Sequence, residues 1–442
     1  MKKFKYILLI FLGIVGLSSC DDFGSLNENP NTTDKEDTKF LFTHACKYTQ
    51  YFVMVGTYDP WNQIYPQYFS ERQNIQFTNF SLSDFNLTPY YTHMLRNLKG
   101  IIDLNENPDT KDLVYVIGLG SSENQIAASR TLRAYAYMHM TDVLGMVPYF
   151  EALEGEKENF TPKYDTQEDI YADLDKDLKE AYDQFNESGK LNSTYDILYN
   201  GDIGKWKKFN ASIRMMLAIK LADVAPSVGK ERFSIAFKDG GIATNEESLV
   251  YRFLPESANQ NPMYNNIIVT GRKDFAPSKT IIDQLLAFKD PRIKAYATPN
   301  SDGEYVGMPF GINQNEIEKY KDVSQFHERY YQQDSPFIVT SAAHILLIQA
   351  EAVARGWITA DIEDLYKKGI QASFDLYPEI ASEVNLDEYI AQDGVKLPAD
   401  MEGKIECIGM QRWLSNFMQD GIEAWSDWRR LDVPKIKPGP SA

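Results

Sequence analysis

The sequence has 442 residues, of which 43% are hydrophobic and 24% charged, and its formal net charge is -18 at pH 7. This composition is typical of a globular protein with enough apolar side chains for a sizeable core. The acidic excess excludes a nucleic-acid partner, because binding to phosphates needs a concentrated Lys/Arg surface. Length alone allows up to about three domains, but no break in composition divides the chain, and we predict one folded domain.

The first residues are typical of a chain that leaves the cytoplasm. Lys2, Lys3 and Lys5 precede an apolar run over 7–17, which suits the core of a signal peptide and is too short to span a bilayer. The run ends in Leu-Ser-Ser-Cys, which resembles the bacterial lipobox, where the cysteine is acylated before cleavage on its N-terminal side. We predict a signal peptide over 1–19 and a lipid on Cys20. The alternative is an ordinary signal peptide with an incidental cysteine.

The predicted lipid also sets the location of the protein. More than one acyl chain gives stable anchoring, and no later segment is apolar over the length of a membrane span. The polar segment 20–37 is predicted to be a lipidated tether, and 38–442 the folded domain. Asp21 and Asp22 look like the signals that move some lipoproteins to the outer face of an outer membrane. We therefore predict a lipid-anchored outer-membrane protein that is exposed at the cell surface.

Two cysteines remain after lipidation. Cys46 and Cys407 form an even pair in a compartment that permits disulfides. Sequence does not say whether their Cα atoms come within the few Å that a bridge requires. A disulfide therefore stays open, although two separately buried thiols are the preferred interpretation.

Helical spacing dominates the chain after the tether. Thr166 is a capping residue before apolar positions at helical spacing over 170–185, and Ser278 caps a second helix. A third apolar stripe, over 206–224, is predicted to end at Pro226. The segments 345–353 and 362–374 flank a short Arg-Gly-Trp turn, which predicts a helical hairpin.

Longer irregular stretches separate the helices. They are rich in Asn, Gln, Pro and aromatic residues and cover 58–88, 254–277 and 296–331. Long insertions on a compact scaffold are usually functional loops. The sequence thus predicts an all-α single domain of helical hairpins with long irregular loop insertions.

No catalytic or metal-binding motif stands out. The histidines are His44, His93, His139, His327 and His344, and no two of them lie within one helical turn, as a hydrolytic zinc site requires. The nucleophile elbow of serine hydrolases and the glycine-rich nucleotide fingerprints are absent. We predict no metal-site residues, no cofactor and no enzymatic activity; whether a structural metal ion is bound stays open. A pair of catalytic carboxylates stays open, because 63 acidic residues supply many candidates.

The first irregular stretch has the most informative composition. Its rings at Tyr58, Trp61, Tyr65, Tyr68 and Phe69 alternate with amides and an arginine. Ring faces offer flat apolar platforms for a sugar ring or a peptide side chain, while amides and Arg satisfy polar groups at the edge. Each ring can equally well be buried against a helix. Trp61 follows a turn at Asp59-Pro60, and we expect it to be exposed.

Several segments together resemble the SusD/RagB-like family of nutrient-binding outer-membrane lipoproteins, in particular its shorter SusD-like branch. They cover nearly the whole mature chain in the family's order: FGSLNENPNTT at 23–33, SRTLRAYAYMHMTDVLGMVPYFEAL at 129–153, NPMY at 261–264, GRKDFAPSKTIIDQLLAFKDPRIKAY at 271–296, EYVGMPFG at 304–311 and GIEAWSDWRRLDVP at 421–434. Met146 stands where the family usually has an acidic residue, and 431–433 replaces a more typical Thr-Gly-Tyr. Both departures fall in turns.

The resemblance implies tetratricopeptide-like hairpins and a partner, a SusC-like TonB-dependent transporter that receives an oligosaccharide or a peptide. We expect a non-enzymatic lipoprotein that binds an oligosaccharide; the alternatives are a peptide-binding member of the family, a lipid-anchored glycoside hydrolase and a scaffold that binds only protein. The acidic surface disfavours anionic ligands at a distance. The predicted ligand contacts are Trp61, Tyr65, Tyr68 and Arg72 in the first insertion, and Tyr264, Arg272 and Tyr305 in the later ones.

Overall fold

The computed structural model describes residues 36–51, 61–81 and 85–440. The predicted signal peptide, Cys20, Tyr58 and nearly all of the tether lie outside these ranges, so the proposed boundaries of those segments stay predictions. The chain from Thr38 onward forms one compact unit. Among the residues described, no helix has both the length and the hydropathy that crossing a membrane requires.

Helices make up most of this unit. In the first half of the chain they are α1 (Thr38–Tyr51), α2 (Trp61–Ile64), α3 (Arg96–Glu106, preceded by a π-helical turn, Tyr90–Leu95), α4 (Val114–Ile117), α5 (Ser122–Leu144), α6 (Gln167–Gln184), α7 (Ile203–Lys220) and α8 (Pro226–Asp239). In the second half they are α9 (Pro262–Tyr264, followed by a π-helical turn, Asn265–Val269), α10 (Lys279–Ala287), α11 (Ile293–Tyr296), α12 (Ala342–Ala354), α13 (Ile362–Asp375), α14 (Pro378–Ala381), α15 (Leu386–Ile390), α16 (Met401–Ser415) and α17 (Gly421–Leu431).

Consecutive long helices pack against each other as hairpins. The pairs are α5 with α6, α7 with α8, and α12 with α13, and α16 packs against both α12 and α17. The apolar stripe predicted over 170–185 is buried along α6. Burial of one apolar face on each helix supplies the core. The prediction of an all-α domain with tetratricopeptide-like hairpins and irregular insertions is confirmed.

Local capping explains where several helices begin. The hydroxyl of Thr166 accepts a hydrogen bond from the backbone N–H of Asp169 (3.2 Å), and that of Ser278 accepts one from Ile281 (3.2 Å), as the sequence predicts. Pro226 does not end α7, which already stops at Lys220. It is instead the first residue of α8, where its fixed φ and missing N–H are tolerated.

The insertions contain short antiparallel ribbons. The strands are β1 (Phe69–Glu71), β2 (Val147–Pro148), β3 (Tyr164–Asp165), β4 (Leu249–Tyr251), β5 (Phe275–Pro277), β6 (Ala297–Thr298), β7 (Gln325–Phe326) and β8 (Phe337–Thr340). They pair as β1 with β5, β2 with β3, β4 with β8, and β6 with β7. Phe69 faces Pro277 across the first ribbon, and Ala297 faces Phe326 across the last.

The two cysteines are separate free thiols. Cys46 is completely buried on α1, where burial raises the pKa of its thiol well above the ordinary value. Cys407 is half-buried on α16. The structure therefore agrees with the preference for two separate thiols, of which only Cys46 is buried.

Candidate functional site

The three predicted insertions meet at the β1–β5 ribbon. The first insertion supplies β1 and the second supplies β5, and β7 of the third packs beside β5. The rings of Phe69 and Phe326 are in contact, with centroids 4.4 Å apart. Residues far apart in sequence are therefore brought to one place on the helical scaffold.

A pocket of about 140 Å³ lies at this meeting point. Its apolar walls are formed by Phe69, Met263, Ile267, Phe275, Phe326 and Tyr331, and its polar groups belong to Asn266, Arg272, Lys273, Asp274 and Gln325. Apolar walls with a few placed polar groups are the usual makeup of a small-molecule site. The arrangement suits a ligand with one flat apolar face and hydroxyl, amide or charged groups at its edge.

Arg272 is the predicted contact that lines this pocket. Its Nε donates a hydrogen bond to the carboxylate of Asp274 (2.6 Å), and its backbone N–H donates to the carbonyl of Asn266 (2.8 Å). The side chain is exposed. Arg272 is thus held at the pocket rim by an acidic neighbour and still faces solvent.

Arg72 lies behind one wall of the pocket. Its Nη1 donates to the side-chain oxygen of Gln325 (2.7 Å), and its Nη2 donates to the carbonyl of Lys321 (2.9 Å). Burial lowers the pKa of the Arg72 guanidinium. The side chain therefore fixes the orientation of Gln325, which lines the pocket, instead of lining it directly.

Tyr264 and Tyr305 are not among the lining residues. Tyr264 is half-buried on α9, between Met263 and the π-helical turn that supply part of the wall. Tyr305 is half-buried in the third insertion, and this burial raises the pKa of its hydroxyl. Both stay predictions as ligand contacts of a larger surface.

Trp61 and Tyr65 form a separate aromatic cluster. The ring of Tyr65 contacts Trp61, Phe80 and Trp425, with centroids 5.8, 5.6 and 5.1 Å away. Trp61 also meets Phe85 edge-on at 5.2 Å. Trp61 is half-buried, whereas the turn before it led us to expect exposure. Contacts within the cluster therefore bury much of its ring surface. A role of Trp61 and Tyr65 in ligand binding stays a prediction.

The beginning of α17 holds this cluster in place. A Cβ on Gly421 would lie 1.8 Å from the carbonyl oxygen of Asn62, so only glycine permits the close approach of α17 to α2. Further along α17, the guanidinium of Arg429 lies 3.9 Å above the ring of Trp425. A cation in this position is attracted to the ring face.

Tyr68 is a correction to the predicted site. Its side chain is 0% exposed, and its hydroxyl donates a hydrogen bond to the backbone carbonyl of Trp413. Its ring packs against the rings of Trp413 and Phe417. Tyr68 therefore belongs to the core, because both its ring and its hydroxyl are already satisfied by the last helices.

Sequence reasoning missed most of the pocket wall. Phe275, Phe326 and Tyr331 lie within or next to the predicted insertions but carry no spacing signal that joins them. Only the interpretation of the three stretches as functional loops could have indicated that their aromatic residues converge.

A buried cluster of His139, Asp420 and Glu423 has the residue types of a metal site. Their ligand atoms lie within 4.8 Å of one another. However, His139 Nδ1 faces the carbonyl of Tyr135 (2.9 Å) and Nε2 faces the carboxylate of Asp420 (2.8 Å). Both partners only accept hydrogen bonds, so both nitrogens are donors and His139 is an imidazolium with no lone pair for an ion. The cluster is a structural ion pair.

The structure combines a scaffold of helical hairpins with a pocket among its insertions. The model of the SusD-like family described as "Starch-binding associating with outer membrane" matches residues 30–442, and the chain belongs to this family. The family consists of binding proteins associated with the outer membrane, so the prediction that the chain is not an enzyme is confirmed.

Solved structures show the same fold. One described as a chitin-binding protein has 26% identity and a TM-score of 0.72, over 91% of this chain and 88% of that chain. A chitin-binding SusD homologue from Flavobacterium johnsoniae has 22% identity and a TM-score of 0.76, over 92% and 88%. A SusD homologue from Bacteroides fragilis has 23% identity and a TM-score of 0.77, over 92% of this chain and 90% of that chain. No curated protein matches the sequence.

Proposed function

We propose that the protein is a cell-surface lipoprotein that binds an oligosaccharide in the pocket at the β1–β5 ribbon and delivers it to a SusC-like TonB-dependent transporter. The observation that carries the proposal is the pocket itself, with ring faces for walls and polar groups at its rim. Family membership and the neighbour described as chitin-binding support a glycan over a peptide.

The size of the pocket sets how much ligand it holds. Its 140 Å³ is about the volume of five liquid waters and is below the ~300 Å³ of the smallest drug-sized sites. The pocket therefore suits one sugar ring of a chain whose remaining residues lie on the neighbouring surface. Tyr264, Tyr305 and the Trp61–Tyr65 cluster are the aromatic residues proposed for that surface.

Tyr331→Ala tests the pocket. Tyr331 is half-buried and supplies a ring to the wall, so its removal is expected to weaken oligosaccharide binding about tenfold, which is ~1.4 kcal/mol. Isothermal titration calorimetry with chitin and starch oligosaccharides measures the loss. Tyr164→Ala is the matched control, because Tyr164 is 59% exposed on β3 and does not line the pocket. Equal affinities of the two variants would contradict the proposal.

Cys20→Ala tests the anchor. In cells fed a labelled fatty acid, we expect the wild-type protein to carry the label and to sediment with the outer membrane, because multiple acyl chains anchor it. The variant should be unlabelled and released. A wild-type chain that carries no lipid would contradict the lipoprotein part of the proposal. Co-purification of a β-barrel transporter from detergent-solubilised membranes tests the partner separately.

A further inference from the structure

Three cationic side chains gather around the pocket of this strongly acidic protein. Arg272 and Lys273 line it, and Arg72 lies behind the wall formed by Gln325. The chain as a whole carries a net charge of -18. A local excess of positive charge on such a background marks a place where an anion is attracted over a short range.

The carboxylates nearby compensate these charges only in part. Asp274 pairs with Arg272 through both Nε (2.6 Å) and Nη2. Lys273 is exposed and forms no ion pair within the described part of the chain. Arg72 donates only to the neutral oxygens of Gln325 and Lys321. Within 36–51, 61–81 and 85–440, Asp274 is the one carboxylate that pairs with a cation of this pocket.

Glu71, next to Arg72 in sequence, does not supply the missing charge. Its Oε2 accepts hydrogen bonds from the backbone N–H groups of Phe77 and Thr78 (3.1 and 2.9 Å) and from the Thr78 hydroxyl (2.9 Å). The carboxylate is buried and committed to the loop of the first insertion. The lowered pKa of Arg72, caused by burial, agrees with a cation that lacks an acidic partner.

We infer that the sugar residue held in this pocket carries a carboxylate or a sulfate, so that the ligand is an acidic glycan. The inference rests on the proposed function and narrows its ligand class. The acidic groups elsewhere on the surface do not prevent an acidic glycan from binding in the pocket, because at physiological ionic strength charges more than about 8 Å away are largely screened. Arg272 and Lys273 are the cations placed to contact the anion, since both line the pocket and both are exposed.

The test compares four oligosaccharides of equal length by calorimetry. Oligogalacturonate and chondroitin sulfate supply carboxylates and sulfates, whereas chitin and starch oligosaccharides are neutral. We expect the acidic ligands to bind at least about tenfold more tightly than the neutral ones at low salt, and this preference to shrink as salt is raised.

Substitutions that remove a positive or a negative charge from the pocket separate the effect of charge on ligand affinity from the effect of pocket shape. Lys273→Gln is expected to weaken acidic ligands about threefold, and Arg272→Gln about tenfold because Asp274 is then left unpaired. Asp274→Asn removes the competing carboxylate from the rim and is expected to strengthen acidic ligands about threefold. A neutral ligand should lose less affinity than an acidic one in Lys273→Gln and Arg272→Gln, should gain none in Asp274→Asn, and should show no dependence on salt.

Lys238→Gln is the control, because it makes the same change in net charge on the exposed face of α8, away from the pocket. Binding of neutral oligosaccharides with no response to Lys273 or Asp274 would overturn the acidic-ligand inference and leave the proposed function intact. Binding of none of the four would count against both. Unchanged melting temperatures show that the variants are folded.

Discussion

Replacing Glu351 with glutamine is expected to destabilise the protein by about 3–5 kcal/mol, the usual cost of leaving buried cations without their carboxylate. Glu351 is completely buried on α12. Its carboxylate accepts hydrogen bonds from Arg412 on α16 (2.6 Å), from Arg430 on α17 (2.5 and 2.8 Å) and from Arg355 (2.8 Å). Glutamine keeps the shape but removes the charge, so Arg412 and Arg430 would depend on Asp427 alone.

Glu351 also makes the stability of the folded protein depend on pH in a defined direction. Burial alone would raise the pKa of Glu351, but the charges of Arg430, Arg412 and Arg355 lower it from 4.5 to about 2. Because the folded-state pKa lies below the unfolded one, the stabilisation is present above pH 4.5 and is lost as the pH falls towards 2. A shift of this size corresponds to about 3 kcal/mol.

Denaturant unfolding at pH 7 and between pH 4.5 and pH 2 measures both effects. We expect Glu351→Gln to unfold at much lower denaturant at pH 7 and to lose less stability than the wild type on acidification. Glu363→Gln is the control, since Glu363 is exposed in the first turn of α13 and forms no side-chain ion pair among the described residues. A loss below about 1 kcal/mol, the level of a surface pair, would contradict the role of Glu351.

The helices were predictable because their signals are local. Capping by Thr166 and Ser278 and the hairpin around the Arg-Gly-Trp turn depend on neighbours within a few residues, which a single sequence displays. Pro226 marks a boundary equally well, but proline both ends helices and occupies their first turn. The sequence therefore indicates a helix boundary at Pro226 but does not show whether a helix ends or begins there.

The pocket was less predictable because its wall is assembled over long distances. Phe69 meets Phe326 and faces Pro277, more than 200 residues away in each case. Tyr68 and Phe69 are adjacent, yet one packs against Trp413 and the other reaches the pocket, because neighbours on an extended segment point in opposite directions. Composition indicates aromatic loops, but it does not show which aromatic side chains point to the core and which point to the pocket.

The inference of an acidic ligand differs from what the net charge of the chain suggests. The acidic total suggested that anions would be disfavoured at a distance, which concerns the long-range field. At contact distance the few charges around the site decide, and those charges are mainly basic. Only the juxtaposition of Arg72, Arg272 and Lys273 across two insertions shows this difference.

Replacing Asp420 with asparagine is expected to cost about 3 kcal/mol at pH 6, because it leaves the buried imidazolium of His139 without its carboxylate. Asp420 Oδ2 accepts from His139 Nε2 (2.8 Å) and from the Tyr135 hydroxyl (3.1 Å). Its Oδ1 caps α17 by accepting from the backbone N–H groups of Ile422 and Glu423 (3.1 Å each). An asparagine that keeps the cap must turn its NH₂ towards the N–H of His139, so two donors face each other.

The pH dependence of this loss follows from the direction of the His139 shift. Burial alone would lower the pKa of His139, but Asp420 outweighs it and raises the pKa above 6.5. A group with a raised pKa in the folded state stabilises the protein fully at pH values below its unfolded-state pKa. This stabilisation is lost as the pH rises through its folded-state pKa. The difference in unfolding free energy between the wild type and Asp420→Asn should therefore be largest near pH 6 and should narrow in alkaline solution.

Asp361→Asn separates this ion pair from the loss of a helix cap. Asp361 caps α13 by accepting from the N–H groups of Glu363 and Asp364 (3.0 and 3.2 Å), and it is exposed. Because Asn caps helices about as well as Asp, this variant should match the wild type at every pH. If Asp420→Asn were equally harmless at pH 6, His139 would have to be neutral, with a lone pair on one of its ring nitrogens. His139, Asp420 and Glu423 could then hold a metal ion after all.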